Sequence, residues 1–192
     1  LLTKLRRSVK PYLDKLGRAL AAAGVRPNHI TALSLVVAAT LPLVLIRFGA
    51  LPASAVILVS AALDVLDGAV ARAGGMVSRV GAIFDSFADR VSDAFFIGSL
   101  ALVGINSFLV IASLTSSFLI SYLRARGEAA GLRMEGIGLM ERGDRVLALL
   151  IIYLVVGLMS VGYGEYALAV FFALTSATVI QRWVTILSGA RE

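Results

Sequence analysis

The sequence predicts an all-α integral membrane protein, with six transmembrane helices preceded by an N-terminal amphipathic interfacial helix. Three observations predict it. Of the 192 residues, 59% are hydrophobic and the mean hydropathy is +0.92, too apolar for a soluble domain with an ordinary surface. Apolar segments of about 20 residues, each adequate for a hydrocarbon core of about 30 Å, can be laid out six times. Basic residues gather on alternate connections between those segments, as the positive-inside rule asks of a multi-pass chain. A single domain is expected over 1–192, with 1–26 forming the juxtamembrane amphipathic helix and 27–192 the six-helix bundle.

In chain order, Leu2, Leu5, Val9, Leu13, Leu16 and Leu20 recur at spacings of three and four, with Lys and Arg on the other faces. Such a helix lies in the membrane interface. Anchoring to anionic lipid explains it, with substrate guidance as the alternative. Pro27 and Asn28 open the first span, where proline is tolerated and asparagine can cap the helix. The expected spans are 29–47, 51–72, 80–104, 106–126, 144–162 and 165–188. His29 reads as an interfacial residue, and Trp183 beside Arg182 as part of an aromatic belt.

Lys4, Arg6, Arg7, Lys10, Lys15, Arg18 and Arg26 precede the first span, and Arg72 and Arg79 separate the second from the third. Arg124, Arg126, Arg133, Arg142 and Arg145 surround the loop between the fourth and fifth, whereas the opposite side carries only Arg47. Both termini are therefore expected in the cytoplasm, with the chain in the cell membrane. No signal peptide is expected from the basic, amphipathic start, which lacks an apolar run, and the chain opens at Leu1 rather than methionine, as a trimmed or fused chain would. The absence of cysteine removes disulfides and thiolate metal sites. A net charge of +6 fits both acidic substrates and positive-inside topology, while no nucleic-acid motif accompanies it.

The second and third spans contain Asp64, Asp67, Asp85 and Asp89. A carboxylate at the centre of a membrane helix costs roughly 2.5 to 3.5 kcal/mol on insertion scales, so intramembrane acids point to a functional site. At 100° per residue Asp64 and Asp67 lie within about 60° of each other, and Asp85 and Asp89 within about 40°. Each pair repels itself across one turn. A divalent cation resolves the repulsion, and oxygen-only donors suit Mg²⁺ or Mn²⁺. Four carboxylates suffice for two ions, which about 3.5 to 4 Å apart can clamp a diphosphate. Gly68, Ala71 and Gly81 permit close backbone approach, and the fork of Arg72 matches phosphate oxygens. The site faces the cytosol, where a water-soluble nucleotide head reaches it while lipid tails stay in the membrane.

Taken whole, Asp64-x2-Asp67-Gly68-x2-Ala71-Arg72-x8-Gly81-x3-Asp85-x3-Asp89 resembles the signature of the CDP-alcohol phosphotransferase family at all eight fixed positions. The resemblance implies transfer of a phosphatidyl-type group from a CDP-lipid, CDP-diacylglycerol or CDP-archaeol, to an alcohol in phospholipid biosynthesis, with CMP leaving. It implies that Asp64, Asp67 and Asp85 are metal ligands, and that Asp89 joins the second metal and acts as general base. Gly68, Ala71, Arg72 and Gly81 would hold the cytidine diphosphate moiety. Pro27-Asn28-x-Ile30-Thr31 looks like what the family carries at this position, which places Asn28 and Thr31 near the nucleotide. A homodimer is also implied.

Ser121-Tyr122-Leu123-Arg124-Ala125-Arg126-Gly127-Glu128 closes the fourth span, and Glu141-Arg142-Gly143-Asp144-Arg145 opens the fifth across a glycine-rich, flexible loop. A cation at Arg145 opposes the helix dipole unless an anion is bound, which makes an acceptor phosphate plausible; positive-inside topology alone also wants arginines here. The patch resembles the branch of the family that uses inositol phosphate, including archaeal versions, whose segment reads Ser-Tyr-x-Lys-Ala-Arg-Ala-Glu. Arg124 stands in the lysine position and Gly127 in that of alanine, keeping charge but changing geometry. The resemblance implies inositol 1-phosphate as acceptor, held by Ser121, Arg124, Arg126, Arg142 and Arg145. Glycerol 3-phosphate, serine or another alcohol is the alternative acceptor. An intramembrane prenyltransferase fits poorly with Arg72 and the two glycines, and a cation transporter poorly with acids confined to the cytoplasmic helix halves.

Overall fold

The computed structural model describes residues 2–189, with side chains from Pro11 onward. Leu1 and residues 190–192, the ends of the expected domain, lie outside the described residues, as do the side chains of Leu2, Lys4, Leu5, Arg6, Arg7, Val9 and Lys10. Among the described residues the regular structure is helical, with no strand: α1 (Leu2–Ala22), α2 (Pro27–Ala39), α3 (Leu41–Phe48), α4 (Ala50–Ala73), α5 (Arg79–Gly98), a 3₁₀ turn (Ser99–Val103), α6 (Ser107–Ala129), α7 (Arg142–Leu158) and α8 (Val161–Gly189).

The expected first span is two helices. Hydropathy runs unbroken over Pro27–Phe48, yet α2 stops at Ala39 and α3 starts at Leu41. Pro42 is the cause: it lacks an N–H for the Ala38 carbonyl and disfavours helical geometry in the residue before it.

Two compact units result, one of residues up to Thr40 with Val56–Ser92, the other of Leu41–Ala55 with residues from Asp93 onward; α4 and α5 contribute to both. In the first unit α1 lies on the backbone of α4. Gly17 is buried, and a Cβ there would fall 2.9 Å from the carbonyl carbon and oxygen of Ala69. The apolar stripe of α1 therefore divides, with Leu13 and Leu20 half-buried and Leu16 exposed. Helices α2 and α4 are joined by Ser34 Oγ donating to the Ser60 carbonyl at 2.9 Å and Ser60 Oγ to that of Ser34 at 3.2 Å. Small hydroxyl residues allow this close approach of membrane helices.

In the second unit α6 and α7 both pack on α8. Ser116 and Thr175 share a hydrogen bond of 2.7 Å, and buried Tyr153 donates to the Phe96 carbonyl at 2.8 Å. Large apolar side chains are exposed in both units, Val36 and Leu58 in the first and Phe108, Ile111 and Val170 in the second. A helical surface of this kind belongs in lipid, where helices satisfy their own backbone groups. Four segments are long and apolar enough to cross a membrane, Pro27–Phe48, Ala50–Ala73, Ser107–Ala129 and Val161–Gly189, and the chain is a multi-pass membrane protein. The other two expected spans differ for distinct reasons: α5 carries Asp85, Asp89, Arg90 and Asp93, and α7 has 17 residues, about 26 Å at 1.5 Å per residue.

An acid cavity and an arginine patch

The acid site is assembled by the end of α4 and the start of α5. Gly75, at φ +64°, lets the chain reverse after α4, and Met76 N–H returns to the Ala71 carbonyl at 2.9 Å. This left-handed closure suits glycine because a Cβ would be strained there. Ser78 then caps α5, its Oγ accepting from Gly81 N–H at 3.0 Å. The short connection returns Asp85 to the stripe of Asp64 and Asp67.

Asp64, Asp67 and Asp85 each offer a carboxylate oxygen within 4.8 Å of the others. Asp67 is buried, and Thr31 Oγ1 lies 2.5 Å from its Oδ2 and 3.2 Å from the Pro27 carbonyl. The single hydroxyl proton goes to the shorter contact with the charged acceptor. Three hard oxygen donors converging in this way match the needs of Mg²⁺ or Mn²⁺. Asp89 stands outside this group of three. It is buried, with Arg90 Nη1 3.5 Å from its Oδ2, and sits one turn beyond Asp85, a rise of about 6 Å along the helix.

Beside the acids lies a cavity of about 230 Å³ lined by Asn28, Thr31, Gly68, Ala71, Arg72 and Gly81 together with Asp67 and Asp85. All six residues expected to meet the nucleotide therefore line one cavity. The glycines are explained by their surroundings. A Cβ on Gly68 would lie 3.1 Å from Arg72 Nη1, and one on Gly81 would be 3.0 Å from Ser78 Oγ and 3.3 Å from Asn28 Oδ1. Asn28 does not cap α2, because Arg26 holds the N-cap position with Pro27 next, so its amide is left to the cavity. Met76 and Ser78 also line it. Ser78 was legible as a serine preceding an apolar helix; Met76 had no signal.

The arginine patch belongs to the second unit. Ser121 donates to the Ser117 carbonyl at 3.4 Å. Arg124 Nε pairs with Glu128 Oε1 at 2.8 Å, both about half exposed, and Arg126 is exposed. Glu141 and Asp144 form a reciprocal capping box at the start of α7, and Glu141 Oε1 also accepts from Gly136 N–H at 3.1 Å. Arg142 is the first residue of α7 and half-buried. Arg145 is 3% exposed, and its Nη2 donates to Asp93 Oδ2 at 3.1 Å. The anion that the sequence asked for at this helix start is thus supplied in part by the protein itself.

Two residues of this region escaped the sequence reading. Asp93 continues the spacing of Asp85 and Asp89, a signal that was available. Arg182 is buried, donates to the carbonyls of Ile120 at 2.7 Å and Ile137 at 3.0 Å, and has Arg124, Arg145, Glu128 and Glu141 as charged neighbours. Its charge within an apolar span was the signal. The loop expected to be flexible is strapped to α8, with Met140 N–H on Thr178 Oγ1 at 3.1 Å and Leu139 N–H on Gln181 Oε1 at 3.2 Å; Met134 is fully buried.

Known proteins share this architecture and its sequence. A crystal structure of Mycobacterium tuberculosis phosphatidylinositol phosphate synthase with CDP-DAG bound superposes with a TM-score of 0.79 at 29% identity, over 91% of this chain and 92% of that one. The same enzyme in complex with manganese and citrate gives 0.79 at 28% identity, over 91% and 88%. The archaetidylinositol phosphate synthase of Pyrococcus horikoshii is 36% identical over 183 residues, covering 95% of this chain and 94% of that protein. The family model described as CDP-alcohol phosphatidyltransferase matches residues 24–188. The chain belongs to the CDP-alcohol phosphatidyltransferase family and is a transferase of phospholipid synthesis.

Proposed function

We propose that this enzyme transfers a phosphatidyl-type group from a CDP-linked lipid, CDP-diacylglycerol or CDP-archaeol, to inositol 1-phosphate and releases CMP. The observation that carries the reading is the cavity wall shared by Asn28, Thr31, Gly68, Ala71, Arg72 and Gly81 next to Asp67 and Asp85. The relatives support it through their substrates: the M. tuberculosis enzyme binds CDP-DAG, and the P. horikoshii enzyme is named for archaetidylinositol phosphate.

Asp64, Asp67 and Asp85 would hold a divalent cation, as the M. tuberculosis enzyme in complex with manganese supports, and Asp89 would join a second. When bound, such ions neutralise the diphosphate and the charge that develops on the leaving oxygen. The protein's own groups do the rest. Thr31 orients Asp67, Arg72 meets diphosphate oxygens as a planar fork, and Gly68 and Gly81 leave room for close approach. Asp89 accepts the proton of the acceptor hydroxyl; that oxygen bonds to the lipid-side phosphorus as the bond to the CMP oxygen breaks. Ser121, Arg124, Arg126, Arg142 and Arg145, joined by Arg182, hold the acceptor's phosphate. A single domain of six spans, both termini and the site on the cytoplasmic side of the cell membrane, α1 in the interface and a homodimer complete the proposal.

Purified protein in detergent with Mg²⁺ and CDP-lipid, offered inositol 1-phosphate, free inositol, glycerol 3-phosphate or serine, is expected to release CMP only with inositol 1-phosphate. Release only with another acceptor would reassign the acceptor, and silence with all four would overturn the reading.

A further inference from the structure

Arg145 is placed where helix physics disfavours it. It lies in the first turn of α7, where the exposed N–H groups already carry partial positive charge. The acidic preference of that turn is met by Asp144, whose side chain accepts from the Glu141 N–H at 3.1 Å. Arg145 is nevertheless buried, at 3% exposure, and faces Asp93 at 1%. Asp93 Oδ2 accepts from Arg145 Nη2 at 3.1 Å and from Ser117 Oγ at 3.4 Å. Arg145 Nε is buried without a hydrogen-bond partner among the described residues.

A buried ion pair is weak evidence of stability, since well-packed apolar groups do as well or better. A buried guanidinium donor without a partner is unfavourable unless something else accepts from it. The acid fixes one corner of the guanidinium fork and leaves another donor for an incoming acceptor. Planar, multiply bonded recognition of a phosphate needs that fixed orientation.

We propose that Asp93 is a positioning residue for acceptor recognition: with Ser117 it locks the guanidinium of Arg145 so that its remaining N–H groups receive the acceptor's phosphate. Arg145 is the group that touches substrate, and Asp93 acts through it. The inference rests on the arginine patch being the acceptor-phosphate site.

The test is a double-mutant cycle on the full chain in detergent, using Arg145→Ala, Asp93→Asn and the two combined. The Michaelis constants for inositol 1-phosphate and CDP-lipid are measured separately, with thermal inactivation as a control on folding. Arg145→Ala is expected to raise the acceptor KM about 10- to 100-fold, the scale of one charge-assisted hydrogen bond, with the CDP-lipid KM within about twofold. Asp93→Asn is expected to raise the acceptor KM roughly tenfold, and the double variant to be no worse than Arg145→Ala, because Asp93 has nothing left to position. Additive penalties, or an acceptor KM unmoved by Asp93→Asn, would overturn the inference while leaving the patch intact. An acceptor KM unmoved by Arg145→Ala would remove Arg145 from acceptor binding, and the inference with it, while the proposed function stands or falls on the acceptor assay. If Asp93→Asn fails to fold, Ser117→Ala takes its place in the cycle, with a rise of about two- to threefold expected and no change overturning the proposal.

Discussion

The acid site and the arginine patch handle charge in opposite ways. At the acid site three carboxylates from two consecutive helices are brought within 4.8 Å of one another, so like charges are driven together by the fold. In the patch the bases are shared out among protein partners: Arg124 has Glu128, Arg145 has Asp93 and Arg182 has two backbone carbonyls. A divalent cation would relieve the repulsion among the acids, whereas the arginines of the patch are already held by protein groups. Loss of one acid should remove a function outright; loss of one base or partner should grade it.

The sharpest way to break the comparison is Asp67→Asn, which keeps the shape and still accepts the Thr31 hydroxyl but removes the charge. CMP release is expected to fall roughly 1000-fold, the scale of several kcal/mol of electrostatic stabilisation at a metal site. Thermal inactivation should shift upward or stay constant, since a repulsive group has been neutralised. A modest kinetic loss would mean the acid site is as forgiving as the patch.

Thr31→Val tests how the acid site is aimed. The 2.5 Å contact to Asp67 links a group outside the acid cluster to a proposed ligand, and loss of such partners typically costs 10- to 100-fold in metal affinity. The Mg²⁺ concentration for half-maximal activity should rise about tenfold, with activity largely recovered at saturating Mg²⁺. An unchanged midpoint would show that helix register alone orients Asp67.

Register is also why so much of the acid site was legible. Spacings of three and four on two neighbouring helices fix which side chains share a face, and a five-residue connection returns the second helix beside the first. The cavity lining of Gly68, Ala71, Arg72 and Gly81 comes from the same string, and Asn28 and Thr31 join it from α2. What stayed hidden depends on contacts that no periodicity encodes. Asp93 lies beyond the eight-position string, and its partner is 52 residues away in sequence. Arg182 sits beside an interfacial-looking Trp183 in sequence, yet Arg182 is buried and Trp183 is exposed. The break between α2 and α3 was legible in Pro42 but was masked by continuous hydropathy.

The packing of α1 sharpens the comparison at its margin. Because a Cβ on Gly17 would fall 2.9 Å from the Ala69 carbonyl group, and backbone cannot give way as a side chain does, Gly17→Val should push α1 off the helix that presents Asp67 and Gly68. Overpacking of this kind costs about 1–3 kcal/mol, seen as a lower temperature of half-inactivation together with reduced CMP release. A variant of unchanged thermal stability would reduce α1 to an anchor on lipid, with no part in supporting the acid site.

The smallest effect belongs to Glu128→Gln. The Arg124–Glu128 pair spans one turn of α6 at 2.8 Å, with both side chains 46% exposed, and exposed pairs of this type contribute about 0.3–0.5 kcal/mol. The acceptor KM should change by about twofold at most, and the difference should shrink as salt rises, because solvent-exposed charges are screened over about 10 Å at 0.1 M. Asp93→Asn is the buried counterpart: its acid pairs with Arg145 from another helix and also accepts from Ser117, whereas Glu128 pairs with Arg124 on the exposed face of one helix. A large, salt-insensitive effect at Glu128 would place that carboxylate out of reach of screening ions when the acceptor is bound, and the patch would then close around its ligand instead of receiving it on an open surface.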